Sequence, residues 1–183
     1  MRFRSAVLSL LAVLTSTAAC AAGQAGNEAT LSVPQVIVVK STAFADGEPL
    51  ASRFTCDGAG EVPPLTWEGV PDSAKALALV VDDPDAPNGT FTHWVVVDMS
   101  PSTSSLESPG VPRGAVQAKN SGGRVSYYPP CPPSGIHHYR FTVYALARPT
   151  GLDEGAPLDQ ALRLVGSSAV AQGRLIGTYE RTR

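Results

Sequence analysis

The sequence predicts a mainly β fold, one sheet-built domain with a small helical appendage near its C-terminus. Seventeen glycines and sixteen prolines are spread through 183 residues, a distribution that favours short strands and tight turns over a helical bundle. Apolar runs at 76–81 and 94–97, and a clean alternation from Tyr139 to Leu146, read as strands. Near the C-terminus the period changes: Leu158, Ala161, Leu162 and Val165 fall at i, i+3, i+4 and i+7 after Pro157, the spacing of a short amphipathic helix.

The first residues stand apart from that domain. Arg2 and Arg4 precede an apolar run from Ala6 to Leu14, too short to span a bilayer comfortably, and small residues continue to Gly23. This is the layout of an export signal over residues 1–19. Thr17-Ala18-Ala19-Cys20 resembles a bacterial lipobox with threonine where leucine is usual, which places Cys20 as a candidate for lipidation; the alternative is an ordinary secreted protein cut near Ala19 or Ala21. Residues 20–33 are small, polar and patternless, as a tether would be. The domain then occupies residues 34–183. Export and a lipid on Cys20 would leave it on the outer face of a membrane; without the lipid it would be secreted or periplasmic. In an oxidising compartment Cys56 and Cys131 are candidates for a disulfide, with burial as two free thiols as the alternative.

Within the domain, Val36–Val39 is a short β-branched run, and Asp46-Gly47 marks a turn. The segment from Ser52 to Pro64 has two glycines and paired prolines that exclude a continuous helix. Leu65-Thr66-Trp67 forms a small strand, with Trp67 expected in the core. The unbroken apolar run Ala76–Val81 fits a central strand covered on both faces, and Trp94–Val97 is its expected neighbour. Residues 100–112 read as a long surface connection and 118–133 as a second coil, for which forming a pocket wall is a sufficient reason. Tyr139–Leu146 is apolar on both sides and so reads as central. A second helical turn is expected at Ser168–Gln172, followed by a closing strand at Arg174–Tyr179.

Charge narrows the function. Fourteen basic residues face 16 acidic ones, and loss of Arg2 and Arg4 leaves 12; a polycationic face for nucleic acid is not supported. All three histidines fall in two stretches, His93 in DDPDAPNGTFTHW and His137 with His138 in CPPSGIHHYRF. Imidazole donates and accepts, and when protonated adds a charge for an anion. His93 and His137 are therefore candidates to hold a phosphate or carboxylate oxygen, with Asp83 or Asp85 orienting them. His138 is expected to face away, because adjacent strand residues point to opposite sides.

These blocks in this order, DDPDAP, THW entering a strand, and CPPSGIHHYRFTVYAL, resemble the signature of the phosphatidylethanolamine-binding protein family, and RFTCDG, PPLTWEGVP and RLIGTYER are similar to its bacterial branch. The resemblance runs from about Val36 to Tyr179. It implies a compact antiparallel β-sandwich with short peripheral C-terminal helices and a small anion pocket walled by the two loops. Asp83, Asp85, His93, Pro132, His137 and Tyr139 match the family's pocket-forming residues. The sequence departs from the bacterial pattern in placing Pro129 and Pro130 before CPP where glycine is common, so the rim is expected to differ in shape or lose a donor. The kinase-inhibiting role of animal members concerns cytosolic partners and is not expected of an exported chain.

The leading expectation is thus a binding protein for a small anionic ligand or phospholipid headgroup at the cell envelope, with no cofactor implied. A hydrolase using the Asp/His pocket is a second reading, with Ser134 or Cys131 as nucleophile, although neither lies in a nucleophile elbow. Two histidines and two aspartates could also hold a metal, but no HExxH or zinc-like cysteine spacing is present. The third reading is an envelope interaction or inhibitor protein with a protein partner and no small ligand.

Overall fold

The computed structural model describes residues 33–34, 36–107 and 110–181. The expected export signal, Cys20 and nearly all of the tether lie outside the described residues. Two antiparallel sheets carry the domain. The smaller has the order β1–β2–β5, built from β1 (Val38–Lys40), β2 (Leu65–Glu68) and β5 (Ser105–Leu106). The larger has the order β6–β4–β3–β7–β8, built from β3 (Ala76–Asp83), β4 (Phe91–Met99), β6 (Val116–Gln117), β7 (Ile136–Leu146) and β8 (Ala169–Glu180).

The unbroken apolar run of β3 is explained by what covers it. Leu77, Leu79 and Val81 face the smaller sheet, in one core with Val39, Leu65, Trp67 and Leu106. Ala76, Ala78 and Val80 face the other way, in a second core with Ala161 and Val165 of α1 (Leu158–Ser168). A strand at the centre of a sheet covered on both faces has no solvated side on which to place polar residues. The alternation of β7 has the same cause. Phe141, Val143 and Ala145 enter the intersheet core, while Tyr144 and Leu146 pack on the helical side. Trp67 is buried as expected, its indole N–H donating to the Thr103 carbonyl at 2.7 Å.

Three expectations need correction. Residues 168–172 do not form a second helical turn: α1 ends at Ser168, and β8 begins at Ala169, paired with Leu146. The ladder with β7, which extends from there to Glu180, satisfies backbone groups that one isolated helical turn would leave open. The fold accordingly has one α-helix among the described residues, not several. The connection at 100–112 also contributes a strand, β5, whose Leu106 is buried against Leu65.

The free edge of β8 is covered by the segment 47–50. Gly47 and Leu50 donate to the carbonyls of Ile176 and Thr178, and Thr178 donates to that of Glu48. Capping an edge in this way removes a row of unpaired backbone groups. Beside it, Gly177 lies opposite Tyr139, and a Cβ there would come within 2.6 Å of the Leu50 side chain.

Candidate functional site

The site sits where β3, β4 and β7 end together. Asp83 is the last residue of β3 and continues its inward-facing series, so its carboxylate emerges at the rim of the intersheet core. On β7 the same alternation turns His137 and Tyr139 inward ahead of Phe141 and leaves His138 outside. Asp83 Oδ2 accepts from His137 Nδ1 at 2.7 Å, and both residues are buried. The other carboxylate oxygen accepts the backbone N–H of Asp85 at 2.8 Å. One aspartate thus orients an imidazole and also folds the start of the DPDAP loop.

His93 arrives by a different route. Val81 pairs with Trp94 and Asp82 with Thr92, so one step along β3 takes two along β4 and His93 is the extra residue. A bulge bends the strand and re-aims a side chain. It lets two consecutive residues serve the inner side, Trp94 in the intersheet core and His93 in the pocket wall. His93 Nδ1 lies 2.7 Å from the Tyr128 carbonyl, which can only accept, so that nitrogen carries the proton. Its expected orientation by Asp83 or Asp85 is therefore replaced by a backbone carbonyl. Burial pushes the His93 pKa down, partly opposed by the Tyr128 carbonyl and the Asp83 charge.

These residues surround a cavity of about 240 Å³. Asp83, Ala86 and Pro87 form one side, Phe91, His93 and Tyr128 another, and Cys131, Pro132, Pro133, His137 and Tyr139 complete the lining. His93 meets Phe91 and Tyr139 edge-on, with ring centroids 4.9 Å and 5.2 Å apart. The Tyr139 hydroxyl is buried without a hydrogen-bond partner among the described residues, and burial with Asp83 nearby pushes its pKa above the ordinary phenol range. An unpaired buried hydroxyl costs about 1–3 kcal/mol, which a ligand oxygen within reach would recover.

Of the six residues expected in the site, Asp83, His93, Pro132, His137 and Tyr139 line this cavity. Asp85 does not. Its carboxylate turns to the outer side, where it accepts from the backbone N–H and Nδ1 of His138 at 2.8 and 2.7 Å. These bonds, the ring contact first, hold its pKa below the usual carboxylate value. Asp85 thereby ties the loop carrying Ala86 and Pro87 to β7.

The opposite wall is held by the two cysteines that were disulfide candidates and by residues that stood out less in the sequence. Cys131 is joined to Cys56, with Cα atoms 5.4 Å apart, and Cys56 N–H also donates to the Pro130 carbonyl. The rim prolines have a partner of their own: a Cβ on Gly60 would come within 2.8 Å of Pro129. Asn120, buried, donates to the Ser126 carbonyl and accepts from the backbone N–H groups of Gly122 and Arg124. It fixes the coil that presents Tyr128 to His93. Its signal in the sequence is the Asn-Ser-Gly-Gly turn, whose asparagine can bond its own backbone two residues on.

The arrangement offers ring nitrogens, a hydroxyl and a carboxylate around a small apolar-walled space. Ser134 does not line the cavity, and the Cys131 sulfur is engaged with Cys56. Among the described residues no group of three or more His, Cys, Asp or Glu is placed to hold a metal ion.

Comparison with known proteins gives the chain its family. The family model described as phosphatidylethanolamine-binding protein matches residues 40–180. A UPF0098 protein of Methanothermobacter thermautotrophicus is 43% identical over 78% of this chain and 98% of its own length. The candidate lipoprotein LppC of Mycobacterium tuberculosis is 44% identical over 84% of this chain and 78% of its own. Among solved structures, the Chlamydia trachomatis homolog of the family superimposes with a TM-score of 0.75 at 37% identity, covering 81% of this chain and 99% of that one. Escherichia coli YbcL, described as a member of the mammalian family, gives a TM-score of 0.75 at 30% identity over 80% and 99%. A sandwich with these neighbours and a sequence match across nearly its whole domain belongs to the phosphatidylethanolamine-binding protein family.

Proposed function

We propose that the protein is an exported, lipid-anchored binding protein whose pocket takes a small oxyanion, a phosphate or a phospholipid headgroup, at the cell envelope. The observation that carries this reading is the convergence of His93, His137 and Tyr139 on one small cavity, together with a Tyr139 hydroxyl that has no partner among the described residues. The Asp83 contact orients His137, the Tyr128 carbonyl orients His93, and the wall at Cys131–Pro133 is tied back through Cys56. A pocket ordered before the ligand arrives loses less conformational freedom on binding. Its size fits a headgroup rather than a whole lipid. Binding is favoured over hydrolysis because neither nucleophile considered from the sequence is free to act in the cavity. Anchoring rests on the lipobox-like sequence ending at Cys20, and the candidate lipoprotein naming of the LppC relative supports it.

Calorimetry and native mass spectrometry on wild type and the His93→Ala/His137→Ala double variant, with phosphate, phosphoethanolamine and short-chain phospholipids, test the pocket. Saturable binding lost in the double variant is expected. A folded wild type that binds none of them removes the proposal and favours an envelope protein partner.

A further inference from the structure

The cavity is unusual for an anion site in what its wall lacks. Among the described residues that line it there is no lysine or arginine, and its formal negative charge is the Asp83 carboxylate. Both imidazoles are already committed at Nδ1, His93 to the Tyr128 carbonyl and His137 to Asp83, each at 2.7 Å. With a proton fixed on Nδ1, a neutral ring has a lone pair on Nε2, which can only accept. Two such acceptors beside a buried carboxylate repel a fully ionised phosphate. The Tyr139 hydroxyl is a buried donor with no partner among the described residues.

Among the described residues, the guanidinium groups nearby are engaged elsewhere and none lines the cavity. His137 is faced by Asp83 from β3, Asp85 from the following loop, His93 from β4, and Tyr139 and Tyr179 on β7 and β8. The Tyr179 hydroxyl and the Arg181 guanidinium both bond the Asp57 carboxylate. His93 is faced by Asp82, Asp83, His137 and Tyr128. Asp82 is held by a bidentate pair with Arg140, and Arg124 lies over the Tyr128 ring without lining the cavity.

Resting on the oxyanion reading above, we propose that the pocket selects oxyanions together with one proton, carried either as a ligand P–OH donated to an imidazole Nε2 or on that Nε2 itself. The class this favours is the phosphomonoester in its singly charged form, whose O–H matches a ring acceptor while a charged oxygen can accept a hydrogen bond from the Tyr139 hydroxyl. A phosphodiester headgroup has no proton to bring, so the proton it needs comes from solvent onto an Nε2 in the pocket. No covalent bond changes; one proton passes from solvent to the complex.

The test is calorimetry on the wild-type protein with phosphoethanolamine and with glycerophosphoethanolamine, at pH 6, 7, 7.5 and 8, in two buffers of different ionisation enthalpy. A phosphomonoester loses its second proton near pH 6, so above pH 7 the expected uptake is close to one proton per ligand. Affinity for total ligand then falls about tenfold from pH 7 to pH 8. Uptake with either ligand supports the proposal, and the tighter of the two identifies a free phosphomonoester or a lipid headgroup as the source. Binding with buffer-independent heat and flat affinity from pH 7 to 8 overturns the proton coupling while leaving the oxyanion pocket standing. Absence of binding at every pH overturns both.

Discussion

His137 Nδ1 lies 2.7 Å from Asp83 Oδ2, and the two residues, 54 positions apart in the chain, are both nearly inaccessible to solvent. The contact joins the ends of β3 and β7 and fixes one wall of the pocket. Replacing Asp83 with alanine leaves a buried imidazole N–H without its acceptor, which costs about 1–3 kcal/mol. Asp83→Ala is expected to unfold at correspondingly lower urea and to bind phosphoethanolamine at least about tenfold more weakly, equivalent to roughly 1.4 kcal/mol. Asp83→Asn keeps an acceptor and is expected to recover part of the stability.

The sense of the His93 shift predicts how stability varies with pH in the absence of ligand. Burial depresses the folded-state pKa below the ordinary 6.5. Below that value the unfolded chain therefore takes up more protons than the folded one, and stability falls as pH drops. The contribution is fully present above about 6.5, declines through the interval down to the folded pKa, and levels off beneath it. Thermal melts of wild type between pH 7.5 and 5 should fall more steeply than those of His93→Gln. Equal slopes would show that His93 is not buried in its neutral form.

His137 and His138 are adjacent, yet β7 directs them to opposite sides. His138 with Asp85 is an exposed pair, and such pairs contribute about 0–1 kcal/mol. His138→Ala is expected to leave ligand affinity within about threefold of wild type, a change of less than 1 kcal/mol, whereas His137→Ala abolishes measurable binding. Comparable losses in both variants would place the ligand outside the cavity.

Cys56 and Cys131 are separated by 75 positions. Opening a closure of that length releases chain entropy in the unfolded state worth about 4 kcal/mol. The Cys56→Ala/Cys131→Ala variant should lose up to that much stability in denaturant titration. Because Cys131 lines the cavity, its affinity for phosphoethanolamine should fall as well.

Cys20 sets the predicted address of the chain. Cys20→Ala is expected to move the protein from the membrane fraction to the soluble exported fraction, followed by immunoblotting of fractionated cells. Unchanged membrane retention would count against a lipid on this residue.

How much of the structure was legible in the sequence depended on whether a feature was local. The apolar run of β3 and the alternation of β7 announced central strands because burial on both faces leaves a direct compositional trace. The opposite facings of His137 and His138 followed from strand geometry alone. His93 shows where that rule stops: simple alternation would send it away from the face used by Trp94, and the bulge that brings both inward depends on the register between β3 and β4. Asp85 was expected among the pocket-forming residues, but its direction was not legible, since its turn onto His138 follows a backbone bond to Asp83. Residues 169–172 carried no strong strand pattern of their own and became strand through pairing with β7, a tertiary preference overriding a local one. Asn120 was legible in part: its turn bond to Gly122 is local to the Asn-Ser-Gly-Gly sequence, but its bond to the Ser126 carbonyl forms only once the coil is folded.

The most direct test of the pocket is nitrogen-detected NMR of the three imidazole rings during titration with phosphoethanolamine at pH 6.5. The expected result is saturable movement of the His93 and His137 Nε2 resonances with a common dissociation constant, while His138 stays in place. Movement of His138 alone, or saturable binding with neither buried ring affected, would contradict a ligand held between His93, His137 and Tyr139.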